Sequence, residues 1–468
     1  MKVKRILCIV GGVLLAAVLG GCIYLNSLMP IITGYAAKNL ASAVFVSGRD
    51  QADAEALDLH FSFIKFNKNK VDFDNKTVTS RFLWYKSKAL YREGYGVTLL
   101  RGRKAEQRLR AQEYPLAIEG TGCTVAAGHD GGCKHGHQGD AHRGHCGTPD
   151  KMCQLPKSEL EERLEPIAKA LVDDHAYNGH PFAFIVMKDG KKVAERYGEG
   201  ITPHTRLLSW SMAKSFTGAL AGIMAGDGLV DIYAPAGIPE WQGDERSRIT
   251  LNDLMQMQSG LEWNEDYGNR SDVNLMLHRE QDMGLYAINK PLEHGPGTFW
   301  YYSSGSANIV MRCLRGKFAS DEEFLGYIRE RLFHPLGIYG ARFEPDMSGT
   351  PVGSSYLYVT ARDYARFGQM YLDDGIVGGE RILPEGWVDY TRTPACASEG
   401  QYGSMFWLNR CKVCPDVPED MYSCNGHDGQ QIYIIPSEGL VVVVLGYSPK
   451  PDRVIEFNRL LSDIIAAL

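Results

Sequence analysis

The chain has no surplus of positive charge. Its 468 residues carry 50 Lys and Arg against 56 Asp and Glu, a net charge of -6. No broad cationic surface can form, which excludes nucleic acid as a partner. The chain also lacks a G-x-S-x-G elbow, so a Ser-His-Asp hydrolase of that architecture is discounted. His204, His294 and His427 are then explained without a triad. A third absence is local: between Ala126 and Asp150 there is no apolar periodicity at all. That tract holds His129, His135, His137, His142, His145, Cys133 and Cys146 among glycines, and it cannot bury enough surface to offset the entropy of ordering. Residues 126-157 are accordingly expected to be a surface linker or insert. Its imidazoles and thiols would take up Zn, Ni or Cu ions adventitiously, without a defined geometry.

Charge is missing once more from Ile6 to Leu25, after Lys2, Lys4 and Arg5. The run is as long as a bilayer core is thick. Two readings stand side by side. An uncleaved anchor helix explains the continuous run, whereas Leu19-Gly20-Gly21-Cys22 resembles a bacterial lipobox in which Cys22 is lipidated. Either one places the rest of the chain outside the cytoplasm, in a bacterial cell envelope. Of the 11 cysteines, Cys8 and Cys22 lie in this segment and nine beyond it. In an oxidising compartment some of these should pair. For Cys396, Cys411, Cys414 and Cys424 a loop-closing disulfide is expected in preference to a zinc site or a redox C-x-x-C.

With 44% apolar residues the chain can bury a large core. Residues 26-125 read as an extension of turn-punctuated strands, one around Val71 to Thr79 with a turn at Asp74-Asn75 and one from Gly96 to Leu100. The extension is expected to pack on the main domain or to act as a spacer. From 158 to 468 the pattern is denser. Ser158 and Glu161 form a capping box ahead of Leu160, Leu164, Ile167 and Leu171 at helical spacing. Phe182 to Met187 and Lys191 to Tyr197 make a hairpin, as do Gln431 to Ile435 and Leu440 to Leu445. The chain closes on an amphipathic helix from Val454 to Leu468. Strands at both ends of a helical middle predict an α/β domain of the α+β type, with an antiparallel sheet flanked by helices and an inserted α-helical lobe.

The sharpest chemical signal is Ser211-Met212-Ala213-Lys214, opening an apolar helix. A spacing of three puts both side chains on one face, so the Lys214 amine can reach the Ser211 hydroxyl and serve as its base once burial makes it neutral. Alone the pattern is common on solvated helices. Downstream, Pro296-Gly297 precedes Trp300-Tyr301-Tyr302-Ser303-Ser304, where a phenol sits beside short hydroxyls. The bland reading of such a tyrosine is core packing. Gly426-His427-Asp428-Gly429-Gln430 then leads into the second hairpin, its glycines allowing a strand backbone close to a ligand.

In this order the three elements resemble the serine β-lactamase and penicillin-binding-protein superfamily, with S-x-x-K, then Y-x-N or S-x-N, then K-T-G or H-x-G. The resemblance covers 158-468 and looks nearest to its esterases and 6-aminohexanoate-dimer-hydrolase-like members. It implies a β-lactamase/transpeptidase-like fold and a serine hydrolase that cleaves a small ester or amide through an acyl-enzyme, without a cofactor or resident metal. Ser211 takes the nucleophile's place, Lys214 the base's and Tyr302 that of the second-motif tyrosine, with Tyr301-Tyr302-Ser303 as the other register. Ser304 stands where asparagine is commoner. His427 and Gly429 occupy the third motif, and the backbone of Gln430 joins that of Ser211 in an oxyanion hole. Two rivals are an inert envelope binding protein whose His-rich tract sequesters metal, and a β-lactamase or D,D-peptidase of the same superfamily.

Overall fold

In the computed structural model the described residues are 2–117, 158–268, 270–449 and 454–468. The His-rich tract expected at 126-157 lies outside them. The chain begins with one long helix, Lys2–Phe45, of which the stretch from Ile9 to Tyr24 is exposed. It is long and apolar enough to cross a membrane. From Met29 onward the same helix is buried almost all round, which fits a helix with apolar or small residues on every face. Four antiparallel strands cover it: β1 (Lys68–Asp72), β2 (Thr77–Phe82), β3 (Tyr85–Arg92) and β4 (Gly96–Leu99), in that order. Ile32, Ala36, Leu40, Val78, Ala89 and Val97 form their shared core.

The remaining strands are β5 (His180–Lys188), β6 (Lys191–Tyr197), β7 (Arg206–Leu208), β8 (Arg342–Phe343), β9 (Leu357–Thr360), β10 (Ile376–Val377), β11 (Glu380–Arg381), β12 (Trp407–Leu408), β13 (Tyr422–Gly426), β14 (Gln430–Ile435) and β15 (Leu440–Tyr447). Six of them make one antiparallel sheet in the order β12-β13-β14-β15-β5-β6. The last strands of the chain thus sit against the first of this region, with Val443 opposite Ile185. Helices Glu159–Val172 and Phe457–Ala467 cover one face through Leu164, Leu171, Leu460 and Leu461. The other face meets the helices Ala213–Gly226 and Ala361–Leu372, where Phe216 stacks on Phe367 at 3.7 Å. The α/β class with antiparallel sheets flanked by helices is therefore as expected, as are both hairpins and the Ser158–Glu161 capping box. The closing helix begins at Phe457 rather than Val454.

The disulfide expected among Cys396, Cys411, Cys414 and Cys424 is absent, whereas Cys123, Cys133, Cys146 and Cys153 lie outside the described residues. Cys22, Cys313, Cys396, Cys411, Cys414 and Cys424 are all unpaired. Cys424 is buried inside β13, where burial pushes its thiol up to about 12, and the Cys411 thiol donates to the Glu399 carbonyl at 2.9 Å. A thiol packed in this way is a small apolar side chain rather than half of a bridge.

The extension grips the larger region through a buried ion pair. Lys38 of the N-terminal helix and Glu344, just after β8, pair at 2% and 0% exposure. The Glu344 carboxylate also accepts from the Val97 amide at 2.6 Å and from the Ser42 hydroxyl at 3.0 Å, and the ammonium lies 3.9 Å from the Tyr356 ring centroid. Removing one partner strands a charge without solvent. We expect Lys38→Met to cost about 3 to 5 kcal/mol in chemical denaturation, while Lys38→Met with Glu344→Gln recovers part of that loss.

Candidate active site

Ser211 sits in a single turn of tight helix, Trp210–Met212, that runs directly into Ala213–Gly226. Trp210 is held at φ 43°, an uncommon conformation for a bulky residue and one that marks a constrained turn. Ser209 anchors the turn. Its amide donates to the Leu357 carbonyl at 2.9 Å and its hydroxyl to the Ser355 carbonyl at 3.1 Å. On the other side the end of β13 comes so near that a Cβ on Gly426 would lie 2.4 Å from the Ser209 carbonyl oxygen. Only glycine fits there.

Lys214 is 1% exposed. Its ammonium donates to the Ser211 hydroxyl at 2.8 Å, to the Ser304 hydroxyl at 3.0 Å and to the Ser354 carbonyl at 3.2 Å. Burial lowers the amine to about 8, against the pull of Glu265 in the other direction. The same Nζ stands 4.7 Å from the centroid of the Tyr302 ring. Tyr301 points to solvent instead, so of the two registers open in the sequence it is Tyr302 that reaches the serine and lysine. Burial, helped by Glu265, raises the Tyr302 phenol far above its usual range. Two titratable groups in one pocket are thus driven apart: the amine toward neutrality, the phenol toward keeping its proton.

Ser304 opens the helix Ser304–Arg315. Its hydroxyl accepts from Lys214 and donates to Glu265 at 2.5 Å, and its amide donates to the other carboxylate oxygen at 2.9 Å. Glu265 was not singled out in the sequence. It lies 39 positions before Ser304 in a loop with no periodicity, and the only local hint is an acid between Trp263 and Tyr267. Both of these bond it, the indole at 2.5 Å and the phenol at 2.6 Å.

The third element borders the same pocket. The His427 ring is 4.8 Å from that of Tyr267 and 5.6 Å from that of Trp210, and its Nε2 lies 3.3 Å from Asp428. Gly429 takes φ 87°, which a residue with a side chain would adopt only under strain. The Gln430 side chain turns away from the pocket, accepting from the Gly446 amide at 3.0 Å and so clamping β14 to β15. What it can offer the site is its backbone. Among the described residues no three His, Cys, Asp or Glu side chains cluster as a metal site.

The family model for beta-lactamase matches residues 166–463, and the chain belongs to that family of serine hydrolases. It is 27% identical over 322 residues to a 6-aminohexanoate-dimer hydrolase of Paenarthrobacter ureafaciens, covering 63% of this chain and 76% of that one. Its fold resembles that of a penicillin-binding-protein homologue from Caulobacter crescentus, with a TM-score of 0.52 and 13% identity over 66% of this chain and 98% of that one. It also resembles EstCE1, a hydrolase with promiscuous acyltransferase activity, with a TM-score of 0.53 and 13% identity over 66% of this chain and 98% of the other.

If Lys214 is the base, a pH dependence follows. An amine that must be neutral to take a proton is competent above its pKa, here about 8. Below that pH, kcat/KM on a neutral substrate should climb ~tenfold per pH unit and level off above it. A flat profile from pH 6 to pH 9 contradicts Lys214 as the titrating base.

Proposed function

We propose that the protein hydrolyses small ester or amide substrates through a covalent acyl-enzyme on Ser211. The observation that carries this reading is the 2.8 Å contact between the Ser211 hydroxyl and a buried Lys214 amine lowered to about 8. Neutral Lys214 takes the hydroxyl proton as Oγ bonds to the carbonyl carbon. The resulting oxyanion is held by the amides of Ser211 and Gln430. Tyr302, kept protonated by its surroundings, gives its proton to the leaving group. The proton on Lys214 returns the phenol to its starting state, and water then cleaves the acyl ester by the reverse route. Ser304 and Glu265 position the amine.

His427 stands where a third-motif lysine would offer a permanent cation. An imidazole with the Asp428 carboxylate 3.3 Å from its Nε2 takes that cation's place, so a carboxylate beside the scissile bond gains little here. That favours neutral esters and amides over penicillins. Exposed residues Ile9 to Tyr24, within the charge-free run from Ile6 to Leu25, support attachment of the chain to a membrane, as an anchor helix or through lipidated Cys22.

A fluorophosphonate probe separates the hydrolase from an inert binding protein. Labelling should map to Ser211 and vanish in Ser211→Ala. Ser211→Ala, Lys214→Ala and Tyr302→Phe should each cut turnover of a p-nitrophenyl ester by about 10² or more, with losses that do not add. Full turnover in Ser211→Ala ends the proposal, and a higher kcat/KM for nitrocefin than for the ester ends the preference for neutral substrates.

A further inference from the structure

The extension carries a surface that the hydrolase reading does not use. The loop between β2 and β3 is Leu83-Trp84, both about half exposed. A two-residue hairpin turn normally takes Asn or Gly, yet here Leu83 occupies φ 49°. Phe63, just before the short turn Ile64–Phe66, and Phe66, its last residue, are exposed to the same degree. Their rings lie 6.3 and 6.5 Å from that of Phe82, so the two loops form one aromatic tip.

The tip has a fixed address. Trp84 Nε1 donates to the Asn26 side chain at 3.1 Å, and Asn67, next to Phe66, donates to the Ile32 carbonyl at 3.3 Å. Asn26 is the first strongly polar side chain after the run from Ile6 to Leu25. At 1.5 Å per residue that run is about 30 Å long, the thickness of a bilayer core. A helix spanning the core thus leaves Asn26, and with it Trp84, at the headgroup layer. Tryptophan is favoured at that depth.

Charge points the same way. Lys68 is directly opposite Arg81, and Arg81 directly opposite Lys86, in the registers of β1, β2 and β3. Residues directly opposite share a face of the sheet, and like charges so placed repel. All three are exposed, and none is in an ion pair among the described residues. A row of cations beside exposed aromatics is satisfied by an anionic surface with apolar depth behind it.

We propose that this tip, Phe63, Phe66, Leu83 and Trp84 with the Lys68, Arg81 and Lys86 row, seats in the headgroup layer of an anionic lipid membrane and fixes how the hydrolase stands on it. The proposal rests on the membrane-attachment reading above. The test uses the full chain in vesicles of phosphatidylglycerol and phosphatidylcholine, with lipids brominated near the headgroup. The bromolipid-quenched part of tryptophan emission should fall in W84F. It should fall severalfold in K68Q/R81Q/K86Q, which keeps Trp84. Alkaline carbonate extraction reads the attachment separately. Resistance to carbonate with no W84F difference overturns the docking and leaves the attachment standing. Extraction with no W84F difference overturns both, whereas extraction with the W84F difference intact keeps the docking and removes the attachment.

Discussion

A buried amine gives up the hydration that stabilises its charge, and the site is organised around one such amine. Lys214 lies inside the protein with all three of its donor directions occupied by Ser211, Ser304 and Ser354. Among the described residues no carboxylate touches it directly. Glu265 comes close only through the Ser304 hydroxyl. A carboxylate in direct contact would restore the ammonium and rule out the proposed base, whereas one hydroxyl removed it orients the amine with a weaker pull. The packing of Ala213 to Met224 into the core excludes water from the amine, and that exclusion sets its acidity. Stability and chemistry meet in this helix, since loosening its packing would rehydrate Lys214 as well as weaken the fold.

A second buried charge, Lys38 with Glu344, has the opposite character. There the partner is in direct contact, and the pair joins the N-terminal helix to the segment between β8 and β9. That segment leads to Ser354 and Ser355, whose carbonyls hold Lys214 and Ser209. Tyr35 of the same helix lies 6.1 Å from the Trp210 ring. The region outside the beta-lactamase match therefore packs against the turn that presents the serine, and is more than a spacer.

Local patterns made part of this legible in the sequence. Ser211 and Lys214 are neighbours because helical spacing of three makes them so, and the hairpins at 182–197 and 431–445 follow from alternation broken by turn residues. Glu265 was hidden because its contacts with Ser304 span 39 positions, and Lys38 because its partner is 306 positions away. A lone lysine after an apolar run reads as the end of a buried helix. Here the helix continues, because Glu344 makes burial of that lysine tolerable. The disulfide expectation followed from compartment and count, but Cys424 and Cys414 are spent on packing.

The central claim is that Ser211 itself carries the acyl group during turnover. Rapid mixing of the protein with a p-nitrophenyl ester at pH 8, followed by acid quench, intact mass and peptide mapping, tests it directly. The account predicts a burst of nitrophenol stoichiometric with protein and an added acyl mass on the peptide that holds Ser211. Steady product formation with that peptide unmodified, or the acyl group on any other side chain, would contradict it.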